Sequence, residues 1–160
     1  QVPDGQPGEI CVRGPQVMLG YLNKPEETEQ AFKGGWLHTG DVAVRNPDGF
    51  LRIVDRKKDM IISGGFNVFA REVEDVIAAH PSVAQVAVIG LPDAKWGEAV
   101  TAIVVASGPV EAADVIALVR AEKGPVQAPK RVIFVEAIPL SAVGKPDKKA
   151  LRTRFAEPVI

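Results

Sequence analysis

Five consecutive charged residues, Asp55-Arg56-Lys57-Lys58-Asp59, lie about a third of the way along the sequence. No buried strand or helix can run through them, because each uncompensated charge withdrawn from water carries a large desolvation penalty. The run therefore splits the chain into two patterns, and a domain joint is expected there. Charge alone also allows a plain solvated turn.

Before the run the pattern is β-rich. Residues 9–13 read as a short strand between Gly8 and Gly14-Pro15. Residues 25–32 read as a short helix, with Pro25 where a first turn tolerates it and acids that complement the helix dipole. Residues 42–45 and 50–54 flank Asn46-Pro47-Asp48-Gly49, which predicts a hairpin. After the run, elements alternate. Residues 60–62 predict a strand, Ser63-Gly64-Gly65 a turn, 70–80 a helix with Val73, Val76 and Ile77 inward, and 83–89 and 98–105 two strands. A helix over 110–123 with Val115, Leu118 and Val119 inward, a strand over 131–135 and a basic helix over 147–155 complete the chain. The expected class is mixed α/β (α+β), with a three-stranded sheet and helices after the joint.

The 160 residues are enough to bury a core without staples. With 19 Lys+Arg against 20 Asp+Glu, the net charge of −1 excludes nucleic-acid binding by bulk positive charge. The 15 glycines and 13 prolines predict many turns. The single cysteine, Cys11, excludes an internal disulfide framework and leads us to expect a reducing, cytoplasmic setting. The longest apolar run, residues 99–106, is interrupted by Thr101 and is far too short to span a membrane. The opening Gln-Val-Pro-Asp-Gly-Gln-Pro-Gly reads as loop and carries no initiator Met, so the chain is expected to be a piece of a longer one.

Several site types are excluded by spacing. His38, His80 and Cys11 are distant from one another in sequence, so no metal site is expected. There is no Gly-x-Ser-x-Gly elbow and no Gly-x-Gly-x-x-Gly turn. Gly144-Lys145 is not a phosphate loop, because Pro139 and Pro146 occupy the positions that would need Gly and Ser or Thr.

One ordered set of segments remains. Gly8-Glu9-Ile10, Gly20-Tyr21, Pro25 and Thr28 lead into Trp36-Leu37-His38-Thr39-Gly40-Asp41. Asp55 through Asn67, Glu72-Val73-Glu74, Lys95-Trp96-Gly97-Glu98, Pro129-Lys130 and Pro139 through Gly144-Lys145 follow. In this order they resemble the C-terminal part of adenylate-forming enzymes, most closely the acyl-CoA synthetases. The resemblance implies a chemistry of two half-reactions: ATP activates a carboxylic acid to an acyl-adenylate, and the thiol of CoA then displaces AMP. It also implies a β-rich tail of a large N-terminal domain over residues 1–57 and a small, rotating C-terminal lid over residues 58–160. The acid, first expected to be a fatty acid, and the Mg2+ that accompanies ATP would be held by an N-terminal domain absent from this chain. No nucleic-acid partner and no transmembrane segment are implied.

The resemblance also assigns residues. Asp41 would grip the ribose hydroxyls, since a carboxylate accepts from both at once; a turn-forming Gly-Asp is the plain alternative. Arg56 would contact the nucleotide beside Lys58, the pivot, although an exposed surface lysine reads the same in sequence. Lys145 would be the catalytic lysine, offsetting charge that grows at the α-phosphate, where otherwise it is a solvated loop residue. Ser63, Gly64, Gly65 and Trp96 would receive the pantetheine arm of CoA, the glycines by close backbone approach and the ring by packing. Their plain readings are a hairpin turn and a structural Trp.

Lys130 would lie near the CoA phosphates. There, however, Val126-Gln127-Ala128 replaces the aromatic and basic residues usual in the family, so Arg131 or Lys148, Lys149, Arg152 and Arg154 are substitutes if that helix is not simply solvated. Two alternatives for function stand beside the first. The acceptor could be a carrier-protein phosphopantetheine, or the isolated chain could be a non-catalytic binding module.

Overall fold

The computed structural model describes residues 2–156, which form two compact units, Gln1–Lys58 and Asp59–Ile160. No helix among the described residues is long and apolar enough to cross a membrane.

In the first unit, β1 (Gly8–Val12), β2 (Leu37–Arg45) and β3 (Leu51–Arg56) pair in that order as an antiparallel sheet. The hairpin expected at residues 46–49 joins β2 to β3: Asn46 N–H donates to the Phe50 carbonyl at 2.8 Å and Gly49 N–H to that of Asn46 at 2.9 Å. Gly49 turns the chain at φ +87°, a conformation costly for any side chain. The short helix α1 (Pro25–Ala31) opens on proline with Glu26 and Glu27 in its first turn. The buried apolar residues here are Val42, Ala43 and Val54, whereas Leu19, Leu22, Phe50 and Leu51 are exposed.

The second unit contains β4 (Ile61–Ser63), β5 (Phe66–Val68), α2 (Ala70–Ala78), β6 (Val83–Asp93), β7 (Gly97–Ala106), α3 (Ala112–Lys123), β8 (Arg131–Phe134) and α4 (Lys148–Phe155). The mixed α/β class is as expected, but the sheet has five strands rather than three. Its order is β5-β4-β7-β6, with β8 parallel to β7. The extra width arises at Gly64 and Gly65. Their φ values of +59° and +81° fold the chain back, so that Phe66–Val68 runs along β4. Three residues are too few to show a period-two pattern, which is why the sequence does not announce this strand.

Both faces of the sheet are covered. On one face α2 and α3 place Val73, Ile77, Val115 and Val119 against Val88, Val100, Ala102 and Val104. On the other, Ile89, Leu91 and Ile103 meet Ile138 and Leu151 of α4. Burial on two faces explains why β7 reads as a continuous apolar run, and each such side chain contributes about 1.5–3 kcal/mol.

The outer edge of β6 is sealed by Glu74 of α2. Its Oε1 accepts from the Val88 N–H at 2.7 Å and from Lys148 Nζ, also at 2.7 Å. Asp147 caps α4 by accepting from the Ala150 N–H at 2.9 Å.

Candidate functional site

Asp41 and Arg56 face each other across the β2–β3 pairing, and Arg56 Nε donates to Asp41 Oδ1 at 2.7 Å. Gly40 precedes the acid at φ +73°, and the Thr39 hydroxyl accepts from the Asp41 N–H while donating to the Ile10 carbonyl. Thr39-Gly40-Asp41 is thus a built turn that fixes one carboxylate and leaves its second oxygen available to hydroxyl donors. The two residues that resemblance assigns to the nucleotide are brought together.

Lys58 lies in a single 3-10 turn, Lys57–Asp59, and is exposed. The following Asp59 is not solvated: Arg152 of α4 donates to it at 3.1 Å, within the second unit.

Around the start of β7, the structure gathers Ser63, Gly64, Trp96 and Lys130. Gly64 N–H donates to the Trp96 carbonyl at 2.8 Å, and a Cβ on Gly64 would stand 3.1 Å from the Trp96 ring. The glycine is therefore required by the ring as well as by its positive φ. A Cβ on Gly65 would meet open space. Ser63 is buried with its hydroxyl unpaired among the described residues.

Asp93 organises the turn before Trp96. Its Oδ1 accepts the N–H groups of Lys95 and Trp96, and its Oδ2 faces Arg131 at 3.4 Å. These bonds, those from Lys95 and Trp96 first, hold its carboxyl below the ordinary range. Two ammonium groups flank the indole, Lys95 at 5.0 Å and Lys130 at 5.1 Å from the ring centroid.

Lys130 is also committed to the carbonyls of Pro125, Val126 and Ala128, at 2.7, 3.2 and 2.8 Å. Burial, then the nearby Arg120, pushes its pKa down. Its first visible role is to staple the 125–128 loop, where Val126-Gln127-Ala128 supplies no cation of its own.

Lys145 stands on a different loop. Leu140 and Pro146 bridge, Ser141 N–H donates to the Lys145 carbonyl at 2.7 Å, and Gly144 turns at φ +74°. The backbone is held, while the ammonium is exposed and unpaired among the described residues. Of the basic residues that follow, Lys148 and Arg152 are tied to Glu74 and Asp59. Lys148, at 15% side-chain exposure, is neither a solvated lysine nor a free phosphate ligand. Glu98, which the sequence did not single out, accepts from the Ile62 N–H at 2.7 Å and positions the strand before Ser63.

The sequence spacing separates Cys11 from His38, but β1–β2 pairing sets them directly opposite, with Sγ 3.5 Å from Nδ1. Glu9, two residues before Cys11, places Oε2 2.9 Å from the same Nδ1, and Lys57 Nζ lies 2.9 Å from that oxygen. No separation rule within one strand reveals such a cross-strand cluster.

Residues 72–145 match the AMP-binding enzyme C-terminal domain. A medium/long-chain-fatty-acid–CoA ligase of Mycobacterium tuberculosis is 59% identical over 98% of this chain and 29% of its own length. The chain belongs to the adenylate-forming enzymes. An amide bond synthetase from Marinactinospora thermotolerans superimposes with a TM-score of 0.89 at 45% identity, covering 98% of this chain and 32% of that one. The o-succinylbenzoate CoA synthetase of Bacillus subtilis, solved with its acyl-adenylate intermediate, gives 0.87 at 36% identity over 94% and 31%. This adenylate-forming chain thus spans about three tenths of the length of the relatives it matches.

Proposed function

We propose that this chain is the C-terminal portion of an AMP-forming acyl-CoA synthetase acting on a medium- or long-chain fatty acid in the cytoplasm. The similarity to the mycobacterial fatty-acid–CoA ligase supports the substrate class. Residues 59–160 are the lid, and residues 1–58 end a larger domain that would cover exposed Leu19, Leu22 and Phe50. Lys58 is the pivot, because an exposed one-turn connector can change φ/ψ without breaking a core. Mg2+ accompanies ATP and is held outside this chain.

The observation that carries this reading is the free ammonium of Lys145 on a fixed backbone. Asp41 accepts from the ribose hydroxyls while Arg56 holds its orientation. Lys145 then meets the negative charge that develops at the α-phosphate as the carboxylate attacks. A preorganised cation at that point lowers the barrier without reorganisation. For the second half-reaction, the turn at Ser63, Gly64 and Gly65 offers backbone and open space beside Trp96 for a narrow pantetheine arm, with Lys130 behind the ring. In the complete enzyme, Lys145→Ala is expected to slow acyl-adenylate formation by ~100-fold or more while thioester formation from supplied acyl-adenylate stays nearly intact. Equal loss of both half-reactions removes Lys145 from adenylation.

A second reading changes only the acceptor, from CoA to an amine, and rests on the likeness to the amide bond synthetase. Supplying the complete enzyme with acyl-adenylate and, in parallel, CoA, a holo carrier protein or an amine distinguishes the acceptors by product.

A further inference from the structure

We infer that Glu9, Cys11 and His38 form a zinc-binding site on the β1–β2 sheet, separate from the nucleotide pair and from the turn beside Trp96. The three ligand atoms, Oε2, Sγ and Nδ1, lie within 4.8 Å of one another. Tetrahedral zinc with Zn–S near 2.3 Å and Zn–N near 2.0 Å sets sulfur and nitrogen roughly 3.5 Å apart. Cys11 Sγ and His38 Nδ1 are separated by 3.5 Å as they stand. The carboxylate needs only a small retreat, since 2.9 Å from Nδ1 is shorter than the roughly 3.3 Å that tetrahedral ligation gives.

The other imidazole nitrogen supports the arrangement. His38 Nε2 lies 3.2 Å from the Lys33 carbonyl, so an Nε2–H donated there leaves Nδ1 as the lone-pair donor. Metal-ligating histidines characteristically make such a bond with their second nitrogen. The donor set of thiolate, imidazole and carboxylate suits zinc, and three protein ligands leave one position for water. Pairing of Cys11 with His38 and the placement of Glu9 on β1 build the site from backbone register.

Binding releases the Cys11 thiol proton to solvent, and Zn2+ replaces the Lys57 ammonium as the cation on Glu9 Oε2. Zinc and Lys57 therefore compete for one oxygen, beside the charged run.

The test uses the 160-residue chain, whose one cysteine makes every thiol readout specific. Zn2+ is expected to slow alkylation of Cys11 by at least ~10-fold, and Co2+ to produce a thiolate-to-metal charge-transfer band. Both readouts need only the unaltered protein. Cys11→Ser should abolish the band. His38→Gln should weaken zinc affinity by ~10–100-fold, the range that even outer partners of a metal reach. Lys57→Met should tighten binding by about 2–5-fold, the reverse of what loss of a merely structural ion pair would do. Circular dichroism confirms that each variant is folded. An alkylation rate indifferent to Zn2+, a cobalt band that survives Cys11→Ser, or weaker zinc binding in Lys57→Met overturns the site.

Discussion

The two units handle their apolar residues in opposite ways. In the second, every large aliphatic side chain of the central strands has a layer above or below it, because α2 and α3 cover one face and α4 the other. In the first, a three-stranded sheet buries Val42, Ala43 and Val54, yet leaves Phe50, Leu51 and Ile53 exposed on and beside β3. Similar strand sequences thus have different energetic weight, and the weight comes from what packs on them rather than from β propensity.

The sharpest way to break that comparison is in the cores. Ile103→Ala removes a side chain with no exposed surface and should cost about 2–5 kcal/mol. Ile53→Ala, at 49% exposure, should stay within ~0.5 kcal/mol. Urea unfolding of both variants measures this, and equal losses would mean the exposed face is structurally engaged.

Next in size is the sealed edge. Lys148→Met leaves the half-buried Glu74 carboxylate without its ammonium and should cost about 1–3 kcal/mol. Lys149→Met, on the exposed side of α4, should be neutral within ~0.5 kcal/mol by the same unfolding curves.

A smaller contrast lies within one turn. Gly64→Ala combines a positive φ with the Trp96 ring and should destabilise by about 2 kcal/mol, whereas Gly65→Ala has the positive φ alone and should cost about 1 kcal/mol. Calorimetric melting temperatures rank the two, and the reverse order would place the ring elsewhere.

The smallest effect is a pH dependence. The Asp93 carboxyl has a folded pKa below its ordinary 3.8, so its stabilisation of the Trp96 turn is complete above that value. The stabilisation disappears as pH falls through the lower folded pKa. The Trp96 indole N–H resonance should therefore shift below about pH 4 and lose that shift in Asp93→Asn. An unchanged titration would remove Asp93 as the organiser of the turn.

Much of the fold is legible in the residues. Asn46-Pro47-Asp48-Gly49 specifies its hairpin locally, and Val73, Ile77, Val115 and Val119 mark the buried faces of α2 and α3 by their spacing. The return strand Phe66–Val68 is not legible, since three residues carry no period. Of the candidate sites, Asp41 and Arg56 could be named one by one, but their contact depends on the β2–β3 register. Nothing near Lys130 in sequence shows that three carbonyls hold its ammonium.

By itself the sequence determined the family, through ordered motifs, and the position of most elements, because turn chemistry and side-chain period act over a few residues. Only the tertiary structure decided which distant residues share a site. It set Cys11 opposite His38, Lys148 against Glu74 and Trp96 against Gly64. Those partners follow from strand register and from which helix covers which face, and both are settled by packing the whole chain at once.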